Sequence, residues 1–563
     1  MFDSEWHKFT ASRLNFSQLY LLKELSVRDL SAVLIYWPLF LISLGLAWAW
    51  WIFFPLAVQS EAKALSSVTQ INKEPLHKAS ATSNESKQKI KNSWLRMTSL
   101  FLLRSLFILV VSVTLARGGW QRRPLEPVVF SSFRNQLANI LSYNSVLSLM
   151  HSWNENLFVV PEWPPFSDTL NSQLKSYHEL KRTFPPALQM KPGTNMVVIV
   201  VESLAYAFLE QGGGHPEWTP FINSLPQHGA TLLPGLASGR RTADGLLAIL
   251  AGLPAWIKEP VLFTSASQIP LSTINYLFPQ HELLFFHGGY EGSLSINHLA
   301  NKLGFQKYFG FTNFPDPSQD DGAWGIWDHA FLPWVATQLS HHRQPFFTTI
   351  LTLSSHYPFQ LPKNYPTRIS PDPEFPILAT IAYADDALRL FFEQARQQPW
   401  YNETLFVILG DHSVSPLPPN KNLSERSPFE IPIIFYHPQM NLPKLFAEKG
   451  LKRKLLSQLD ILATLERWLK SPNTTPTNNP FVTPIEVPDE HRLSIHRSQD
   501  CLQMLTLDKI LRSCDGQTMD AQYLSTQTLH DKHNEKNGEL LFQALVAFYI
   551  HGLQVRSWSL LPK

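Results

Sequence analysis

Three short stretches put groups that can hold a metal ion, or attack an ester, at the ends of apolar runs. The first is Asn195-Met196-Val197-Val198-Ile199-Val200-Val201-Glu202-Ser203, in which six apolar residues lead directly into a carboxylate. The second, Leu405-Phe406-Val407-Ile408-Leu409-Gly410, runs into Asp411-His412. Carboxylate and imidazole together suit Mn2+ or Zn2+, and a mixed oxygen and nitrogen set does not choose between them. The third is Ser238-Gly239-Arg240-Arg241-Thr242-Ala243-Asp244-Gly245, followed by an apolar Leu-Leu-Ala-Ile-Leu. A Gly-containing turn that opens a helix aims backbone N–H groups at the loop, where an anion can sit. Thr242 falls at that helix start. A hydroxyl beside a divalent cation loses its proton more easily and becomes a nucleophile. Arg240 or Arg241 could balance the charge of a transferred phosphoryl group.

Each residue also has a plainer reading. Glu202 could end a strand and face solvent, Thr242 could be a simple helix N-cap, and Asp411 could do no more than form a turn. His356 in Leu353-Ser354-Ser355-His356-Tyr357-Pro358 and His287 in Phe285-Phe286-His287-Gly288-Gly289 both follow strand-like runs. Histidines so placed can donate to phosphate oxygens or pass a proton to a leaving alcohol; taken singly, each is as well explained by structure. Agreement among the six is what favours chemistry, because a stable fold does not need them at one edge.

The elements that must position these groups are strands buried on both faces. An uninterrupted β-branched run suits the centre of a parallel sheet, and open α/β sheets bind ligands beyond the carboxyl ends of their strands. From 195 to about 469 strands alternate with helices. Strands are predicted at 196–201, 283–287, 346–352, 405–410 and 430–436, and helices around 219–228, 243–251, 296–303, 377–396 and 455–469. That alternation predicts a doubly wound α/β domain, placed at 191–470, with a C-terminal extension at 471–563 that ends in a helix near 540–553. The chain has 563 residues, a net charge of +2 and 43 prolines. The near-neutral balance singles out no nucleic-acid partner, and the prolines suit long ordered loops. Cys501 and Cys514 lack zinc-finger spacing and are compatible with one short disulfide loop or with two free thiols.

Ahead of this domain, residues 31–58 are almost wholly apolar and uncharged, and 97–116 contain a single charge, Arg104. Their lengths predict two transmembrane helices within a membrane anchor at 1–117. Seven Lys or Arg lie between the two runs and four precede the first, which places the intervening loop in the cytoplasm and the rest of the chain beyond the membrane. Residues 118–190 read as a juxtamembrane connector, with helices at 133–150 and 168–182.

Residues 195–470 resemble the sulfatase/alkaline phosphatase superfamily and, within it, the lipoteichoic acid synthase-like membrane phosphoglycerol transferases. The stretches that carry the resemblance are VVIVVES, TPFINSL, SGRRTADGLLAILAGLP, FFHGG, WGIWD, LTLSSHYPF, LFVILGDHS, IPIIFYHP and SQLDILATL. The resemblance implies a sulfatase/alkaline phosphatase-like sheet domain that binds one divalent ion, usually Mn2+, with Zn2+ or Mg2+ as alternatives. It implies Glu202, Asp411 and His412 as metal ligands and Thr242 as both ligand and nucleophile. His356, His287 and Arg241 become substrate-binding residues. The implied activity moves a phosphoglycerol-type head group from a phospholipid donor to a glycan or glycolipid acceptor through a threonine-linked intermediate. The implied location is the bacterial cytoplasmic membrane, with the catalytic domain on the periplasmic side.

One departure bears on the substrate. Lipoteichoic acid synthases place a Trp and an Arg seven and nine residues after the His that matches His287, and here those steps reach Leu294 and Ile296. Bidentate recognition by that Arg is therefore lost. A sulfatase would need a Cys or Ser in a Cys-x-Pro-x-Arg-type motif where Thr242 stands. A phosphoethanolamine transferase, a phosphodiesterase-like hydrolase and a catalytically inactive membrane binding module are the other readings.

Overall fold

The computed structural model describes residues 167–555, apart from 272–273, 470–478, 499–500, 515–518, 524–531 and a few single positions, together with Leu106. Its centre is an eight-stranded sheet. In chain order the strands are β1 (Asn195–Val201), β2 (Thr231–Leu236), β3 (Glu282–His287), β4 (Lys307–Phe309), β5 (Phe346–Leu351), β6 (Thr404–Gly410), β7 (Glu430–Tyr436) and β8 (Leu456–Ser457). In space the order is β4-β3-β5-β1-β6-β7-β2-β8. All neighbouring pairs are parallel except those that β7 makes with β6 and β2.

The run before Glu202 is apolar throughout because both faces of β1 are covered. Met196, Val198 and Val200 join one buried cluster, and Val197, Ile199 and Val201 join the other. The first face is covered by the helix Thr242–Ala251 and the helix Asp460–Leu469, and the second by Asp328–Gln338 and Ile377–Ala395. Each buried aliphatic side chain adds roughly 1.5–3 kcal/mol, so β1 cannot slide by one residue without exchanging the two faces. The strand end that carries Glu202 is therefore a fixed point.

Several elements differ from the sequence expectation. β2 was not expected, because Pro234 and Gly235 interrupt it; Pro234 lies opposite Pro432 of β7, so two missing N–H groups fall at one register position. The helix Asp328–Gln338 holds Pro333 in its interior, which hid its periodicity. The helix expected from 455 begins at Asp460, and the residues before it form β8. After 471 the chain forms a second sheet of β9 (Ser494–Ser498), β10 (Cys501–Leu505), β11 (Lys509–Ser513) and β12 (Asp520–Tyr523), all antiparallel. Cys501 and Cys514 are bonded to each other at the open end of the β10–β11 hairpin.

Among the described residues no helix is long and apolar enough to cross a membrane. This overturns the expected placement in the bacterial cytoplasmic membrane with the domain on its periplasmic side. The two longest described helices show why: Ile377–Ala395 carries Asp385, Asp386, Arg389 and Glu393, and Lys532–Val555 opens with Lys-His-Asn-Glu-Lys. The apolar run at 31–58, the run at 97–116 apart from Leu106, and the helix expected at 133–150 lie outside the described residues.

The second sheet carries a polar ladder in which His496 and Gln503 are buried and Arg512 is exposed. His496, Gln503 and Arg512 occupy one register position on three adjacent strands. With its amide turned to satisfy both neighbours, Gln503 donates to His496 Nε2 and accepts from Arg512 Nε and Nη2, each at 2.8 Å. Burial, reinforced by the Arg512 charge, pushes His496 down to about 4. A group depressed on folding contributes stability that is complete above its unfolded value, near 6.5, and is lost as pH falls through its folded value. Urea unfolding should therefore show wild-type stability falling by up to about 3 kcal/mol more than that of His496→Gln between pH 6.5 and 4. Parallel pH profiles for the two proteins would refute this.

Candidate functional site

The register of β1 against β6 creates the site. Val201 pairs with Gly410, so the next residues, Glu202 and Asp411, leave adjacent strands at the same height. Ser203 turns away at once with φ 59°. Its N–H donates to Asp411 Oδ1 (2.7 Å) and its hydroxyl donates to Glu202 Oε1 (2.8 Å). The Glu202 N–H is held by Thr352 Oγ1 at 2.9 Å, just past β5. Asp411 Oδ1 also accepts from the His412 N–H (2.8 Å). Both carboxylates are buried.

Thr242 reaches this pair from the helix Thr242–Ala251. The N-cap residue of that helix is Arg241, so Thr242 is the first helical residue and its hydroxyl is not used for capping. Instead Oγ1 donates to Glu202 Oε2 at 3.1 Å. Close approach of the helix depends on Gly245, where a Cβ would stand 2.2 Å from the Asp411 carbonyl oxygen. Gln458 locks the junction. Its side-chain nitrogen donates to the carbonyls of Gly410 (2.8 Å) and Asp411 (2.7 Å), and its oxygen accepts from the Ser238 N–H (3.0 Å).

His412 completes the cluster. Its Nε2 lies 3.5 Å from Glu202 Oε1 and 3.5 Å from Asp411 Oδ2. Nδ1 faces the Ser413 carbonyl at 2.9 Å, which assigns the proton to Nδ1 and leaves the Nε2 lone pair toward the carboxylates. Burial and then the neighbouring Glu202 charge push Asp411 up to about 7. Burial works to raise Glu202 as well, but His412 and His356 hold it below the usual carboxylate range. In His412, burial is outweighed by Asp411 and Glu202, which hold the imidazole above its ordinary value.

These residues fit a divalent ion. Asp411 Oδ2 is buried without a hydrogen-bond partner, and an orphaned carboxylate oxygen in a closed site costs several kcal/mol unless a cation meets it. One ligand atom from each of Glu202, Asp411 and His412 lies within 4.8 Å of the others. The hard-oxygen and imidazole set suits Mn2+ or Zn2+.

Above this floor opens a cavity of about 570 Å³. Glu202, Thr242 and His412 line its base, and Arg240, Arg241 and His356 line its sides. Arg241 is bound to Glu259 at 2.7 Å, whereas Arg240 has no carboxylate partner among the described residues. The His356 ring lies 4.0 Å from Trp324, whose Nε1 donates to the Tyr357 carbonyl at 2.7 Å. His287 does not line the cavity. It is buried at the end of β3 with Nδ1 facing the Leu351 carbonyl (3.3 Å), and burial brings it down to about 4.

Leu294 does line the cavity, in a left-handed conformation (φ 48°), while Ile296 is buried in the core. The two residues that sequence reasoning missed are positioning groups. Gln458 braces Asp411, and Asp328 accepts from the N–H groups of Leu353 and Ser354 (3.2 and 2.8 Å), at the turn that presents His356. The available signals were a Gln and an Asp within largely apolar stretches of sequence.

A description of the Sulfatase family matches residues 194–471, the segment that holds every residue of the cluster. Residues 194–471 form a sulfatase-family domain. Among curated relatives, the lipoteichoic acid synthase-like protein of Bacillus subtilis is 23% identical over 249 residues, covering 42% of this chain and 40% of the relative. Lipoteichoic acid synthase 1 of the same organism is 24% identical over 236 residues, 39% of this chain and 36% of its own length. The matched part is thus less than half of these relatives. Among solved structures, an alkaline phosphatase superfamily protein from Vibrio parahaemolyticus superposes with a TM-score of 0.57 at 21% identity, covering 69% of this chain and 97% of that one. The lipoteichoic acid synthase from Listeria monocytogenes gives 0.50 at 16%, covering 66% and 96%. The sulfatase-family domain therefore has a mixed α/β fold with lipoteichoic acid synthase-like relatives and a candidate metal triad.

The geometry predicts one tight divalent site. In equilibrium titration with Mn2+, wild-type protein should bind one equivalent, Glu202→Ala and Asp411→Ala should bind more than about 100-fold more weakly, and Gln458→Ala should fall about 10- to 100-fold, as expected when a ligand loses its brace. Retention of one tightly bound equivalent in both carboxylate variants would show that the ligands lie elsewhere.

Proposed function

We propose that this protein is a metal-dependent transferase that moves a phospho-head group from a lipid donor to a hydroxyl of a glycan or glycolipid acceptor, through a covalent intermediate on Thr242. The observation that carries this reading is the Thr242 hydroxyl, free of capping, hydrogen-bonded to Glu202 and facing a cavity large enough for a head group. Lipoteichoic acid synthase-like relatives support the phosphodiester chemistry.

Glu202, Asp411 and His412 would hold the ion, with Thr242 Oγ1 beside them, and Mn2+ is the ion we assign. When bound, it would supply Lewis-acid stabilisation of phosphoryl oxygens and of the threonine alkoxide. The chain's own groups then act in two displacements. Thr242 Oγ1 yields its proton toward Glu202 Oε2 and forms a bond to phosphorus, while the bond from phosphorus to the lipid alcohol breaks. His356 supplies the proton that the leaving alkoxide takes up. In the second displacement the acceptor hydroxyl gives its proton to His356 and attacks the same phosphorus, the phosphorus–Oγ1 bond breaks, and Thr242 regains its proton from Glu202. Arg240, which no carboxylate neutralises among the described residues, holds the phosphoryl charge. The turn set by Asp328 and Trp324 fixes where His356 stands.

Incubation of the full chain with Mn2+ and a phospholipid analogue, followed by digestion and mass spectrometry, should find the head-group phosphate on Thr242. Thr242→Ala should lose at least about 10³-fold in turnover. An adduct on another residue, or undiminished turnover in the variant, would sink the proposal.

A further inference from the structure

The cavity above Thr242 contains two opposite charges that the protein leaves unmatched. Arg240 and Glu374 both line it. Among the described residues neither has an ion-pair partner, and they do not pair with each other. A carboxylate in a cavity that receives a phosphate repels its ligand, unless the ligand brings a positive charge of its own. Glu374 sits on the wall where such a charge would be met.

The surroundings of Glu374 point the same way. Phe375 follows it directly, and Tyr357 and Phe359 stand edge to face with ring centres 5.9 Å apart on the same cavity. Phe359 is held at φ 60°, a conformation that costs a non-glycine residue energy and persists where the surroundings impose it. Aromatic faces beside a carboxylate form the environment that takes up an alkylammonium group. A polyol finds less to bind. Leu294 offers only an aliphatic side chain, and Ile296 is buried away from the cavity.

We propose that the phospho-head group this site selects carries an alkylammonium, with its phosphate at Arg240 and Thr242 and its cation between Glu374 and the rings of Tyr357, Phe359 and Phe375. The inference rests on the transfer reading for the position of the phosphate. It requires no further covalent step. The cation could be a primary or a quaternary ammonium, and the two are separable by experiment.

The test is calorimetric titration of phosphoethanolamine, phosphocholine and glycerol 1-phosphate into the full chain in Mn2+ buffer, repeated with Glu374→Gln. Glu374 is exposed, so the variant does not threaten the fold. At least one aminoalkyl phosphate should bind roughly tenfold more tightly than glycerol 1-phosphate, and Glu374→Gln should bring that ratio close to one. Preference for phosphocholine would assign the larger share to the rings, and preference for phosphoethanolamine would assign it to hydrogen bonds from the ammonium to Glu374; either supports the proposal. Equal or tighter binding of glycerol 1-phosphate, no detectable binding of either aminoalkyl phosphate, or a ratio unmoved in Glu374→Gln would overturn it. Binding is read without turnover, so a failed Thr242 adduct would remove the transfer reading without deciding this one.

Discussion

Two carboxylates leave neighbouring strands at the same height and are buried side by side, and much of the surrounding structure answers that crowding. Glu202 and Asp411 owe their positions to the β1–β6 register, which cannot shift while both faces of β1 are packed. Like charges so close in a low-dielectric site are costly. The Ser203 and His412 N–H groups, the Ser203 hydroxyl and the His412 ring offset part of that cost. They leave Asp411 Oδ2 unsatisfied. Two carboxylates kept together with one oxygen orphaned make a candidate cation site, and the departure from ordinary burial rules is what marks it.

The floor and the walls of the cavity are built differently. The floor is rigid: Gly245 lets a helix end touch the Asp411 backbone, and Gln458 ties that backbone to the loop leading to Thr242. Small displacements there would separate the Thr242 hydroxyl from Glu202, and the contacts at Gly245 and Gln458 resist them. The walls come from loops after β5 and before the helix Ile377–Ala395, together with Leu294 near the end of β3. Loops carried on a fixed scaffold can change composition without moving the reacting groups. The sheet thus fixes the carboxylate cluster, and the loops shape the cavity above it.

Much of the sheet could be read before any coordinates because parallel strands buried on both faces leave an unbroken apolar signature; β1, β5, β6 and β7 all fall within a residue of expectation. Elements with mixed signals were hidden. Pro234 and Gly235 disguised β2, Pro333 disguised the helix Asp328–Gln338, and the polar ladder of His496, Gln503 and Arg512 disguised the second sheet. The expected membrane spans fall on residues outside the described region, and the described helices carry charge where a span would need none.

By itself the sequence determined the residue types and the strand ends on which they ride: Glu202, Thr242 and Asp411-His412 are local features, each written within a few residues. It could not determine that Thr242 escapes its capping role, because that depends on Arg241 taking the N-cap and on Glu202 standing 3.1 Å away. Nor could it separate Arg240 from Arg241, since the difference is the ion pair to Glu259. Glu374 carried no local signal at all. Its meaning arises only when a loop far along the chain folds over the Thr242 helix end. Strand character is decided by neighbours in sequence, whereas the charge balance of a cavity is decided by neighbours in space.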